Sequence, residues 1–279
     1  MTSTPPPANP APAAPRPAAQ YAPRRVAAIL TVGYAILAYG TSLAVLGYAI
    51  GFVVTTGTPT GIDRGPVIAW PAAVAVDLGL LALFAVQHTV MARPGFKRRL
   101  SHVLPAVAER STFVLAASLA LALLCWQWRP VGHDVWRLSG PAAAIVLGCY
   151  ASGWLISVAA TCMISHADLF GLRQAFLRSR YTAPPFCERG LYRLVRHPLM
   201  TGFIIVFWAA PVMTTGHLVL AAAVTGYILI GIRFEEHDLR RVLGPVYATY
   251  SARVPALIPL LRPRSRPEDT TPARAGSLR

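Results

Sequence analysis

Four long apolar stretches, Val26 to Val54, Val67 to Val90, Thr112 to Trp128 and Pro141 to Met163, dominate the first part of the chain. Each approaches the roughly 20 residues that a helix needs to cross a bilayer. Two shorter apolar runs follow, Leu199 to Met213 and Leu218 to Ile232, separated by Pro211 and by Thr214-Thr215-Gly216-His217. At about 15 residues each they are marginal as independent spans. Pro and Gly at the turn, with charges at both open ends, predict one helical hairpin that enters and leaves on the same side. The pattern predicts an all-α integral membrane helix bundle, four spans plus a C-terminal helical hairpin, with cytoplasmic flaps that bind a cofactor.

Composition agrees, since 54% of the 279 residues are hydrophobic and 13% are charged, too little polar surface for a water-soluble domain of this length. Membrane lipids are therefore expected around it. The net charge of +15 raises nucleic acid as a partner, and the location of the charge argues against it. With the N-terminus inside, the inner segments hold 3, 5, 6 and 9 Lys/Arg, 23 of the 26, leaving Arg64, Arg129 and Arg137 outside. That asymmetry is the positive-inside rule, which sets orientation and needs no nucleic-acid partner. The termini are expected in the cytoplasm and the protein in a bacterial inner membrane. Nothing in the sequence points to a protein partner.

Residues 1–25 hold 8 Pro and 7 Ala with almost no large apolar side chain, so a disordered tail is expected there. A second, basic tail is expected over 262–279, leaving 26–261 as one membrane domain. The run after Arg24-Arg25 is too long for a signal-peptide core and reads as a retained first span. Cys125, Cys149, Cys162 and Cys187 show no zinc-type spacing. Three lie in the spans, where buried small apolar residues are expected, and no metal is predicted.

The chemistry concentrates at the two ends of the hairpin, where Arg196-His197-Pro198 precedes it and Arg233-Phe234-Glu235-Glu236-His237-Asp238 leaves it. Ionisable groups there are costly unless they bind something. On a helix, Arg233, Glu236, His237 and Arg240 fall within about 60° of each other, while Glu235 lies about 100° round from Glu236. The two carboxylates therefore have different work. An ion-pair ladder at i,i+4 spacing is the simpler reading of this segment, and a ligand site is the other.

The ordered series Gly190-Leu191-Tyr192, Arg196-His197-Pro198, Gly202, Glu235-Glu236, Gly244, Tyr247, Tyr250 and Val254-Pro255 resembles the isoprenylcysteine carboxyl methyltransferase superfamily of integral-membrane methyltransferases. The resemblance implies S-adenosyl-L-methionine as methyl donor, held between the loop before the hairpin and the helix after it. The positions it assigns are Phe186, Cys187, Tyr192, Arg196, His197, Pro198, Leu199 and Met200, with Glu235 from the far side. Pro198 suits a helix start, where it removes a donor that would be unpaired and leaves neighbouring amides aimed at a ligand. No Gly-x-Gly-x-x-Gly follows a strand and no strands alternate with helices, which excludes the soluble doubly wound methyltransferase fold.

Further upstream, Phe84 to Lys97, Glu109-Arg110-Ser111-Thr112, Trp126 to Pro130 and Ser165 to Leu172 are similar to the bacterial methanethiol S-methyltransferases and their NnrU-like relatives. This second resemblance implies a small thiol acceptor, methanethiol, converted to dimethyl sulfide. It runs over roughly residues 25–260. The prenylcysteine enzymes carry an arginine four residues before the first glutamate, and here that position is Gly231, which argues against a prenylated acceptor. A thiol must become a thiolate before it attacks a sulfonium methyl, so a base or a cationic field is needed. The candidates are His88, His166, Arg233 and Glu236. The sulfonium leaving group is already activated, so a metal is not needed. Asp77, eleven residues before His88 and near the same helix face, is either a structural or a functional carboxylate. The competing functions are a prenylcysteine or lipid methyltransferase, and a non-catalytic NnrU-like membrane protein.

Overall fold

A computed structural model describes residues 25–54 and 57–259; the two tails predicted to be disordered lie outside these, except for Arg25. Among the described residues five helices are long and apolar enough to cross a membrane: α1 (Arg25–Val53), α2 (Trp70–Ala92), α4 (Ala106–Gln127), α5 (Gly140–Ile164) and α9 (Thr215–Leu243). A short helix, α3 (Pro94–Leu100), links α2 to α4. The connection from α5 to the hairpin holds α6 (His166–Leu169) and α7 (Leu172–Leu177). The hairpin is α8 (Pro198–Trp208) followed by α9, and α10 (Pro245–Arg253) closes the described chain. At about 1.5 Å per residue, α8 is roughly 16 Å long, half the thickness of a hydrocarbon core, whereas α9 is long enough to cross it.

The turn of the hairpin contains a strand, β2 (Val212–Thr214), paired antiparallel with β1 (Asp134–Arg137), which precedes α5. This ribbon marks one end of the bundle. Arg64, Arg129 and Arg137 lie at the ribbon end, and the basic connections α3, α6, α7 and α10 lie at the other. A core of Phe52, Ile62, Leu124, Trp128, Tyr150 and Val206 fills the ribbon end. There Trp128 Nε1 donates to the Ile62 carbonyl at 3.1 Å. Asp77, 1% exposed, accepts the Arg129 backbone N–H at 2.8 Å. It thereby satisfies an amide where α4 has ended, a structural use for a carboxylate inside a span.

Elsewhere the long helices turn apolar residues outward, among them Ile29, Leu37, Leu83, Leu119, Ile145 and Leu155. Water would penalise such a surface and lipid does not, so the protein is a membrane protein. Cys125 is buried as expected, but Cys149 and Cys162 are exposed on α5. In a span the outer face must be apolar too, so small apolar residues are not confined to the interior.

The chain from Gly190 to Phe203 runs along α5 from its basic end inward. Leu191 N contacts Met163 Sδ at 3.3 Å, Tyr192 OH reaches the Ala160 carbonyl at 3.4 Å and Ser157 Oγ reaches the Leu199 carbonyl at 3.4 Å. Gly153 and Gly202 make the closest crossing, where a Cβ on Gly202 would lie 2.5 Å from the Gly153 carbonyl oxygen. Small residues let the two backbones touch. Because α8 starts opposite Ser157, seven residues before the end of α5, its N-terminus is recessed by about 10 Å.

Candidate functional site

The recessed start of α8 is clamped from three directions. Arg196 Nε and Nη2 meet Glu236 Oε1 at 2.7 and 2.5 Å, while Nη1 donates to the carbonyls of Ser251 at 3.0 Å and Val254 at 2.6 Å. The backbone amides of Arg196 and His197 donate to the Pro255 and Ala256 carbonyls. One guanidinium thus pins the end of α10 to both halves of the hairpin. Glu236, 8% exposed, also receives His197 Nε2 at 3.2 Å and Arg240 Nη2 at 2.9 Å. The i,i+4 pair expected between Glu236 and Arg240 is present, as the inner half of a larger cluster.

Glu235 faces elsewhere, as the helical offset required. Its side chain is 50% exposed and stands 3.6 Å from His197 Nδ1. His197 therefore bridges the buried carboxylate and the open one, and Pro198 behind it is fully buried at the first position of α8. Tyr250 OH donates to the Tyr192 carbonyl at 2.7 Å, fixing the 3₁₀ turn of residues 190–193 against α10. Burial, with the charge of Glu235 nearby, pushes the Tyr192 hydroxyl up to about 12. It is therefore a neutral donor at any physiological pH.

Phe186, Tyr247 and Tyr250 form an aromatic cluster with ring centroids 5.3 to 6.2 Å apart. Within it the Tyr247 hydroxyl is buried without a hydrogen-bond partner among the described residues, and burial pushes it up to about 12. Cys187 Sγ lies 3.6 Å from the Met163 carbonyl. Gly190 takes φ +58°, and a Cβ there would meet Met163 Sδ at 2.7 Å, so this turn requires glycine. Leu199 and Met200 are half-buried on the first turn of α8.

The structure thus gathers Phe186, Cys187, Tyr192, Arg196, His197, Pro198, Leu199, Met200, Glu235 and Glu236 at the basic end. Arg233 is exposed on α9 beside them. The two upstream histidines stand elsewhere. His88 lies between Phe84 at 5.4 Å and Phe113 at 4.9 Å, its Nδ1 buried without a partner among the described residues. His166 has both ring nitrogens engaged, Nε2 with Tyr39 OH at 3.1 Å and Nδ1 with Thr161 Oγ1 at 2.9 Å. Thr161 Oγ1 already donates to the Val158 carbonyl, so Nδ1 carries the proton and the Nε2 lone pair accepts from Tyr39. A general base needs a free lone pair, and that of His166 is occupied.

Sequence reasoning missed Arg110, which sits in the first turns of α4 with its guanidinium 5.0 Å from the Phe113 ring. The signal was available, since a cation a few residues inside an apolar helix is a functional candidate by default. It also missed the part α10 plays: Tyr247, Tyr250 and Val254 stand at helical spacing and are buried together, but sequence reasoning places them only within the resemblance.

A recessed polar mouth in a bundle of membrane-crossing helices defines the class, and the chain belongs to the NnrU protein family, which matches residues 78–259. Among its relatives is Methanethiol S-methyltransferase 2 of Bradyrhizobium diazoefficiens, 49% identical over 239 residues, 85% of this chain and 92% of that protein. Methanethiol S-methyltransferase of Mycobacterium tuberculosis is 46% identical over 82% of this chain and 96% of its own. More distantly, Nurim of Xenopus laevis is 27% identical over 64% of this chain and 70% of its own. No solved structure matches.

Proposed function

We propose that this protein transfers a methyl group from S-adenosyl-L-methionine to methanethiol, or a similarly small thiol, giving dimethyl sulfide at the membrane. The observation that carries the reading is that relatives bearing the name methanethiol S-methyltransferase are 41–49% identical over more than four fifths of the chain. The residues present fit the donor. Glu235 is a half-exposed carboxylate with no arginine in ion-pair contact among the described residues, suited to a cationic ligand. Tyr247 offers a buried hydroxyl without a hydrogen-bond partner among the described residues, in an aromatic wall, and Tyr192 and His197 supply further hydrogen-bonding groups.

When bound, the donor supplies a methyl group on a sulfonium, a leaving group that needs no further activation. The chain then has to hold that methyl in line with the acceptor sulfur and keep water out. Glu235, His197 and Tyr192 orient the donor, and Leu199 and Met200 form the apolar floor beneath it. Arg196 and Glu236 neutralise each other and hold the mouth together, so they act through position. The 23-to-3 division of basic residues supports a cytoplasmic mouth and cytoplasmic termini, with a bacterial inner membrane as the bilayer.

The test is competition between methanethiol and a prenylcysteine analogue for methylation by detergent-purified protein. Methanethiol is expected to win. Faster methylation of the prenylated compound would replace this reading with a prenylcysteine methyltransferase.

A further inference from the structure

A second polar locus lies behind the mouth, where a cavity of about 110 Å³ opens between α4, α5, α6 and the start of α8. Tyr192 and Leu199 line its side toward the mouth, and Arg110, Asp168, Ile164 and Leu169 line the rest. Clefts for drug-sized ligands measure roughly 300–1,000 Å³, so this one suits a ligand of a few heavy atoms. It shares Tyr192 and Leu199 with the residues placed around the donor.

Its polar groups are only partly engaged. Arg110 Nε donates to the Leu169 carbonyl at 2.7 Å. Among the described residues no carboxylate pairs with Arg110 within 4.0 Å, and neither Nη has a hydrogen-bond partner. Asp168 Oδ1 is buried without a hydrogen-bond partner among the described residues, its nearest cation being Arg173 Nη1 at 3.7 Å. The segment carrying Asp168 is held tightly to α4. Gly171 takes φ +86°, and a Cβ there would lie 2.8 Å from the Ser111 backbone nitrogen. A cation with no carboxylate partner within 4.0 Å among the described residues and a carboxylate with one oxygen free of hydrogen bonds, its charge shared with Arg173 and Tyr181, are fixed on one small cavity and are the parts that a thiol acceptor requires.

We propose that this cavity seats the methyl acceptor, with Arg110 holding the sulfur as thiolate and Asp168 receiving its proton. The proposal rests on the small-thiol reading above and adds the site and residues to it. The thiol S–H bond breaks with its electron pair left on sulfur, and the proton goes to Asp168. That pair forms the new sulfur–carbon bond as the sulfonium carbon–sulfur bond breaks, and the pair from the broken bond leaves on the donor's sulfur. Arg110 faces one anion throughout, first the Asp168 carboxylate and then the thiolate, so little charge is stranded in a low-dielectric site. Asp168 is 17% exposed at its side chain, which lets the proton return to solvent.

The other ionisable groups facing the pair are Glu109 on α4, Arg173 on α7, Tyr181 beyond it and His88 on α2. Glu109 is engaged by Lys97 at 3.2 Å. The pH response of the variants below is therefore read against the parent, in which these groups are unchanged.

Arg110→Gln, Arg110→Lys, Asp168→Asn and Leu169→Ala are made in the full chain. Donor binding by calorimetry should stay within about twofold of the parent, which shows that the fold is kept. Arg110→Gln should lose about 100-fold in kcat/KM for methanethiol at neutral pH. The loss should shrink as pH rises and free thiolate becomes abundant, with Arg110→Lys intermediate. Asp168→Asn should show the same alkaline recovery, and Leu169→Ala should shift preference several-fold toward ethanethiol. Saturation transfer from protein to methanethiol, read by NMR without donor, should weaken in Arg110→Gln. If Arg110→Gln does not fold, Asp168→Asn and Leu169→Ala decide. Variants that bind donor normally but keep the parent's kcat/KM, pH profile and thiol preference overturn the proposal. A parent that forms no dimethyl sulfide overturns the small-thiol reading instead, and NMR contact with methanethiol that is indifferent to Arg110→Gln overturns the site itself.

Discussion

Glu235→Gln and Glu236→Gln differ by one position in the chain and should fail in different ways. Glu236 is 8% exposed and accepts from Arg196 at 2.5 and 2.7 Å, His197 at 3.2 Å and Arg240 at 2.9 Å. An amide keeps the shape but removes the charge, and its NH₂ would face a guanidinium donor. Breaking one side of a buried pair costs about 3–5 kcal/mol. The Arg240 contact adds little, because that side chain is 55% exposed. We take about 3 kcal/mol, which lowers the melting temperature of a chain this size by roughly 6–12 °C. The Arg196 contacts to Ser251 and Val254 would then carry an uncompensated cation, so α10 should loosen first. Glu235 is half exposed, and its substitution should leave the melting temperature within about 2 °C of the parent. Donor affinity should instead fall about tenfold, the lower end for one charge-assisted hydrogen bond. Melting in detergent and donor calorimetry on both variants read the two effects separately. Equal melting shifts, or an unshifted Glu236→Gln, would refute this division of labour.

At the α5–α8 crossing, Gly202→Ala places a Cβ 2.5 Å from the Gly153 carbonyl oxygen and should sharply reduce the yield of folded protein. Gly226→Ala in α9 meets nothing within 4 Å and should be neutral or stabilising by up to about 1 kcal/mol; equal yields of the two, by size exclusion, would sink the packing argument. Reporter fusions after Arg64, Arg99, Arg137 and Arg189 should read outside, inside, outside, inside, and an inside signal at Arg137 would overturn the orientation. Burial holds the Tyr192 and Tyr247 hydroxyls up to about 12, so both stay neutral until pH approaches that value. The tyrosines should therefore impose no descending limb on the methylation rate up to about pH 10, and a descending limb below pH 9 that vanishes in Tyr192→Phe would contradict it.

The bundle was legible because lipid demands long apolar runs, and each of the four predicted spans has its helix. The α4 helix starts at Ala106, earlier than the run at Thr112, because Glu109 and Arg110 interrupt the apolar signal without interrupting the helix. The hairpin was legible from Pro211 and the charges flanking it. Its unequal arms were not, since the apolar lengths of α8 and α9 are alike while their helical lengths are 11 and 29 residues. The ribbon of β1 and β2 is too short to leave a period-two pattern. At the mouth, the helical offset separated Glu235 from Glu236 correctly. Arg196, by contrast, is spent on backbone carbonyls of α10, and contacts to carbonyls leave no trace in side-chain identity. The cavity behind Tyr192 depends on how α4 and α6 meet, a long-range contact that spacing along one helix does not encode.

The most direct measurement supplies S-adenosyl-L-methionine labelled in its methyl group, together with methanethiol, to membranes carrying the full chain. The headspace is then analysed for labelled dimethyl sulfide. The account predicts labelled dimethyl sulfide that requires both substrates and falls with Glu235→Gln. Headspace label no greater than from membranes lacking the chain would contradict it.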